Sequence, residues 1–551
     1  MSATPSTGVL VLAGGRVRTP EGVVEADLVV RDGLIEAVLP PGSDELPQGT
    51  GVERVDCTGG LVLPGFQDAH VHPPKAGRNL LHLSLHDKEG RDAYVQAVAD
   101  YAAAHPERPF VLGGGWAMEY FPGGLPTKED LDAVCPDRPV FLYNRDVHGA
   151  WVNSAALRLA GITSATPDPH DGRIERDPAT GEPIGMLHEG AAYSFEAAWV
   201  PSPDREEWEQ ALLLAQSYLH SLGITAWQDA WVTPEQQDAY LALDARGELT
   251  ARVEAALWWD RHRGVEQVPE LVERRERSGR RFSPTTVKIM TDGVLENYTG
   301  ALLRPYCDGH GHETDNRGIA FVEARDLAAA VTALDAEGFS VHMHTIGDRA
   351  VRNALDAVQE ARSANGAVPL GRSRRHHLAH IQVIAAEDTP RFAELGVTAN
   401  CQALWAQREP QMTELTEPFV GSERMERMYP FAEIARAGGR LAMGSDWAVS
   451  TPDPVQQIEV AVTRRPCGEP DAEPLVPDQA LSLDQALDAF SMGSAYVNGL
   501  DDVTGRVAPG LAADLVVLDR DITAGAAHEI AQAVVLRTIV AGESVYVREN
   551  A

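Results

Sequence analysis

Between Ile224 and Gly444, short apolar runs recur with amphipathic helical patterns between them, and this alternation constrains the fold more than any other feature. The runs are Ile224 to Asp229, Ala251 to Trp259, Thr286 to Met290, Ser340 to His344, His377 to Ile381, Val397 to Cys401 and Leu441 to Gly444. Trp208, Ala211, Leu212, Ala215 and Leu219 share one helical face, and Arg349 to Arg362 reads as another helix. Alternation over this length means a parallel sheet, open or closed. Leu61-Val62-Leu63 reads as the first strand, which brings the set to about eight, the number that closes a barrel.

The two ends have a different texture. Val9 to Leu12, Ala26 to Val30 and Leu34 to Val38 read as antiparallel strands, the last two joined by the Asp32-Gly33 turn. Asp514 to Leu518, Val534 to Val540 and Ser544 to Val547 read the same way. Neither end has enough strands to stand alone. The expected fold is therefore α/β: a (β/α)₈ TIM-like barrel with a small β-sandwich domain built from both termini. Residues 1–60 and 503–551 would form the sandwich and residues 61–502 the barrel. Residues 73–202, rich in Gly and Pro, read as a long insertion after the first barrel strand, and long insertions are usually functional.

At 551 residues the chain exceeds one ordinary core. Its net charge of −34 would repel phosphate backbones, so nucleic acid is not an expected partner. No apolar stretch approaches the roughly 18 residues of a membrane span. The first residues lack a basic segment followed by an apolar run, and a cytoplasmic location is the default expectation. The five cysteines form no C-x-x-C pair and imply no disulfide framework.

The chemistry-bearing residues sit at strand ends. His70 and His72 are two apart in extended backbone and point to one side, as two ligands of one metal ion would. His344, His380 and Asp446 each close an apolar run, and the strand ends of a barrel are where its active site lies. His342 reads as a support behind the ligands, and His376 and His377 as loop or supporting groups. His82 and His86, at helical i, i+4 spacing, form a weaker metal pair with no evident acidic partner. Lys288 lies in an apolar strand, where a charged amine is costly. Either it is neutral and reactive, able to take up CO₂ as a carbamate, or it pairs with Asp292.

Together these residues resemble the amidohydrolase superfamily. Pro64-Gly65-Phe66-Gln67-Asp68-Ala69-His70-Val71-His72 is similar to its first-strand motif, and Gly444-Ser445-Asp446 to its eighth. Leu125-Pro126-Thr127, Leu131-Asp132, Asn144 to His148, Trp151 to Ser154, Lys288 to Gly293, Tyr306-Cys307-Asp308 and His344 to Ala350 resemble the subgroup of N-substituted formamide deformylases and related N-acyl amine hydrolases. The resemblance implies one metal on His70, His72 and Asp446. It also implies Lys288 as N6-carboxylysine bridging to a second metal on His344 and His380, although some relatives hold one ion. Val147 departs from the pattern, which has Gly there.

The implied reaction is hydrolysis of a non-peptide C–N bond by a metal-activated water. A divalent metal, zinc first, suits the nitrogen and oxygen donors. The catalytic residues would be Asp446, as proton carrier, and His148, as the group facing the oxyanion. Trp116, Tyr298, Trp405 and Trp447 are expected as pocket walls around a hydrophobic N-acyl or N-formyl amine; a homodimer is compatible with the sequence. A cyclic amidase, deaminase or carbamate hydrolase on the same scaffold, or a non-catalytic metal-binding protein, are the alternatives.

Overall fold

The computed structural model describes residues 8–366 and 374–549. Eight parallel strands stand side by side in chain order. They are β1 (Phe66–Val71), β2 (Ile224–Val232), β3 (Arg252–Trp258), β4 (Phe282–Met290), β5 (Ser340–Thr345), β6 (His377–His380), β7 (Thr398–Cys401) and β8 (Arg440–Met443). Helices follow the strands, among them Pro234–Arg246 after β2, Ala324–Ala336 after β4 and Asp348–Asn365 after β5. A capping box at Thr233 and Gln236 starts the first of these, and Gly247, at φ 72°, ends it. The outward faces of the strands pack under the helices in one large core that includes Val287, Ile289, Val341, Met343 and Leu378. Between β8 and β1 there is no ladder. The seam is bridged by Asp446 N to His70 O (2.7 Å) and His72 N to Trp447 O (2.9 Å), so the barrel is nearly closed.

The first barrel strand is not Leu61 to Leu63. Leu61–Pro64 pairs with Val9–Thr19 and with Leu515–Leu518, in a sheet made by both termini. The barrel begins at Phe66, one residue beyond Gly65, where a side chain would strike Thr225 of β2. That terminal sheet has eight strands, with the expected tight turn at Asp32-Gly33 and a second one near the other end of the chain. Asp32 and Gly33 have φ of 49° and 80°, and Ala541 and Gly542 of 50° and 78°, the positive pairs of a type I′ hairpin.

The insertion is a folded unit rather than a loop. Its strands Leu83–Ser84, Val111–Trp116, Val140–Asn144, Gly149–Val152, Pro183–Glu189 and Gly172–Arg176 form one six-stranded sheet in that order. Trp116, Trp151, Phe121 and Tyr94 fill a core of their own. The Gly113-Gly114-Gly115 run lies within a strand, because neighbours crowd it. A Cβ on Gly113 would come within 2.1 Å of the Leu83 carbonyl oxygen. Among the described residues, no helix is long and apolar enough to cross a membrane.

Candidate metal centre and its cavity

On β1, Asp68 and His70 alternate with Ala69 and Val71, whose side chains pack outward in the core. The same alternation turns His342 and His344 of β5 inward between Val341 and Met343. At the rim the imidazoles converge on Asp446. His72 Nε2 lies 2.9 Å from Asp446 Oδ1, His70 Nε2 3.4 Å from the same oxygen, and His380 Nδ1 3.9 Å from Oδ2. Ligand atoms of His70, His72 and Asp446 all lie within 4.8 Å of one another. The His344 ring is 4.5 Å from the His380 ring, which in turn is 4.8 Å from that of His70. His380 and Asp446 have φ of 76° and 54°, so the backbone leaves the strand direction where each side chain is presented.

Burial drives down the basicity of His70, to about 3, and lowers that of His72, His344 and His380; the Lys288 amine adds to this in all four. Neutral imidazoles are the form that binds a metal. Burial works against the Asp446 carboxylate, yet His70 and His72 hold it well below the usual carboxylate range. Lys288 is 1 % exposed and in register with His342. Burial pushes its amine down to about 7, with Asp446 acting in the other direction. Asp292 is not its partner. That carboxylate accepts the backbone N–H groups of Ala301 (2.9 Å), Ile346 (3.1 Å) and Gly347 (2.9 Å) and faces His344 Nδ1 at 3.2 Å.

Behind this group, His342 Nε2 meets His70 Nδ1 at 2.9 Å and His342 Nδ1 meets Gln228 Oε1 at 2.7 Å. His377 lies against the His342 ring, and His376 links Val341 N to Asp335. These three histidines thus lie in contact behind His70 and the β5 strand. His82 and His86 do not form a metal pair. His82 is engaged by Glu207 at 3.0 Å, the acidic partner not evident from sequence, and by Arg108.

His148 reaches in from the insertion, its ring 5.4 Å from that of His344. Its Nδ1 lies 2.8 Å from Glu189, which also accepts a hydrogen bond from Thr299 Oγ1 at 2.7 Å. Burial opposes charge on His148, but the Glu189 carboxylate outweighs it and lifts the imidazolium pKa to about 9. Glu189 escaped the sequence reading. Its signal was the one used for His344 and Asp446, a polar residue closing a buried strand.

A cavity of about 400 Å³ adjoins the cluster. Asp146, Ile346, Gln382 and Trp447 line it, each within two residues of His148, His344, His380 or Asp446. Trp405 also lines it and stacks on His380, with the rings 7° from parallel. Trp405 and Trp447 are thus the pocket walls. Trp116 is buried in the core of the insertion, and Tyr298 packs on Tyr306 and Phe419 instead.

Buried nitrogens without partners at His72 Nδ1 and His380 Nδ1, beside a carboxylate at a cavity, fit a divalent cation. Fold and site define a metal-dependent hydrolase on a (β/α)₈ barrel. The chain belongs to the amidohydrolase family, whose model matches residues 53–546, and it acts on carbon–nitrogen bonds other than peptide bonds. It is 29 % identical to Protein LONG AFTER FAR-RED 3 of Arabidopsis thaliana over 99 % of this chain and 93 % of that one. It is 28 % identical to N-substituted formamide deformylase of Arthrobacter pascens over 90 % of each chain. Among solved structures, an uncharacterized metal-dependent hydrolase from Pyrococcus furiosus superposes with a TM-score of 0.69 at 25 % identity, covering 93 % of this chain and 99 % of the other.

Proposed function

We propose that this enzyme hydrolyses an N-acyl or N-formyl amine at the rim of the barrel, with His70, His72, Lys288, His344, His380 and Asp446 as the metal-binding set. The observation that carries this reading is the meeting of His70, His72 and Asp446 beside a cavity with aromatic walls. The donor set suits zinc. When bound, the metal would polarise the substrate carbonyl and acidify a water towards a pKa of roughly 7. The neutral Lys288 amine, favoured by burial, would form an N–C bond to CO₂ and release one proton, leaving a carbamate anion able to help hold a second ion. Asp446 accepts the proton of the attacking water and passes it to the leaving nitrogen. His148, kept charged by Glu189, donates a hydrogen bond to the carbonyl oxygen as negative charge builds there. The C–N bond breaks, and the products are a carboxylic acid and an amine. Trp405 and Trp447 hold the apolar part of the substrate.

The test joins metal analysis of the purified protein with a hydrolysis panel of formamides, acetamides, cyclic imides and carbamates. The expected result is bound zinc, an intact-mass increment of one carboxyl group, and turnover of N-acyl amines. Turnover of cyclic ureas alone, or release of ammonia from a heterocycle, would sink the substrate assignment.

A further inference from the structure

A second group of nitrogen and oxygen donors meets where the insertion touches the barrel. Asp171 stands in the turn before the insertion strand Gly172–Arg176, with His170 beside it, and His262 stands in the turn after β3. One ligand atom from each of the three lies within 4.8 Å of the other two. His170 Nδ1 is 3.9 Å from Asp171 Oδ1, His262 Nε2 is 3.8 Å from Asp171 Oδ2, and the two rings are 5.5 Å apart. Donors on one tetrahedral zinc ion stand about 3.4 Å apart, so a small closure completes the geometry. The carboxylate is buried and both imidazoles are exposed, so the first is fixed and the other two are free to turn onto an ion. Backbone contacts hold both turns. The Asp171 carbonyl accepts the Gly190 amide at 3.0 Å, and the His262 amide donates to Asp260 Oδ1 at 2.9 Å.

We propose that His170, Asp171 and His262 form a separate divalent-metal site that fastens the insertion to the barrel. Two imidazoles and a carboxylate, with water completing the shell, suit zinc and also copper, nickel or cobalt. None of the three belongs to the cluster around Asp446 or lines the cavity. Arg261 already joins the two parts here. Its guanidinium pairs with Asp171 Oδ2 and lies 4.3 Å from the centre of the Phe321 ring. An ion would share the carboxylate with that guanidinium, and the nearby positive charge keeps binding weaker than in a closed four-ligand cage. The site is therefore an exchangeable one, and the net charge of −34 draws cations towards it. Gly172, the residue after Asp171, pairs with Glu189, whose carboxylate faces His148. A metal on Asp171 thus braces the strand pair that carries Glu189.

Zinc titration tests this on the untagged purified protein, its resident metal in place, against a competing colorimetric chelator. The wild type should take up one zinc ion more than the double variant His170→Ala/His262→Ala. Either single variant should bind that ion at least about tenfold more weakly, since loss of a direct ligand costs no less than loss of a group supporting one. Saturating zinc should raise the unfolding temperature of the wild type by about two degrees and leave that of the double variant unchanged. Both imidazoles are exposed, so without added zinc the variants should unfold where the wild type does; His170→Gln/His262→Gln repeats the test with polar side chains of closer size. Equal zinc uptake by the wild type and both double variants overturns the site. An extra zinc ion with no rise in unfolding temperature overturns the fastening. Neither result depends on which substrate is hydrolysed.

Discussion

The inner and outer ends of the cavity are built in different ways. At the inner end, His70, His344, His380 and Asp446 stand on or just past neighbouring parallel strands, whose spacing is set by ladders and by core on the outer side. At the outer end, Asp146, Glu296 and Glu409 stand on segments outside the regular strands and helices, held by individual side-chain contacts. A further lining segment, at Tyr429, is held by Arg464. Fully buried, it donates to the carbonyls of Leu475 (2.8 Å), Met428 (3.0 Å) and Tyr429 (3.2 Å), and Tyr429 lines the cavity. A scaffold of this kind can keep its chemistry on strands while its loops choose the substrate.

The comparison breaks most sharply at Asp446. Replacing it with Asn keeps the shape and removes both the charge facing His70 and His72 and the proton acceptor. A loss of about 10³-fold or more in kcat is expected, with bound metal falling in parallel. Retention of full turnover and metal would show that the inner end is not the reacting end. At the outer end the largest effect belongs to Arg464→Met. Three buried carbonyls lose a charged donor, and about 3 kcal/mol of stability should go with them. Denaturant unfolding reads that loss; KM should rise more than kcat falls, because Tyr429 moves and the cluster of His70, His72 and Asp446 does not.

The inner end was legible in the sequence because its signal is local. An apolar run that closes on His344, His380 or Asp446 announces a buried strand meeting a site, and Lys288 is conspicuous among apolar neighbours. β1 was misplaced for the same reason. Its inward residues Asp68 and His70 are polar, as is Gln67, so Phe66–Val71 lacks an apolar run, while Leu61–Leu63, in the terminal sheet, has one. The glycine run at 113–115 resembled a loop because crowding by Leu83 and Tyr143 has no sequence signature. The outer carboxylates were invisible. In an acidic chain, nothing local distinguishes Glu296 and Glu409 from the glutamates of a solvated surface. The two tryptophans that line the cavity and the one that fills the insertion core differ only in tertiary placement.

Between the two ends stands His148, and Glu189→Gln sharpens its assignment. The neutral amide no longer holds the imidazolium, so charge opposite the carbonyl oxygen weakens. A fall of about 30-fold in kcat, near 2 kcal/mol, is expected with little change in KM. A structural role alone would lower the unfolding temperature and leave the kcat of the folded enzyme intact.

The smallest effect is expected one residue before His148. Val147 has φ of 58° in the turn where its N–H bonds to the Asn144 carbonyl at 3.2 Å. A β-branched side chain is strained there, at a cost of about 1–2 kcal/mol, which is why glycine suits the position. Val147→Gly removes that strain but adds freedom to the unfolded chain, worth about 0.5–1 kcal/mol against it. The difference should raise the unfolding temperature by about a degree. Activity tells the rest. If the strained turn serves only to aim His148, glycine keeps the same backbone and kcat holds; a lower kcat in a more stable protein would show that the valine side chain itself pins the His148 loop against the barrel.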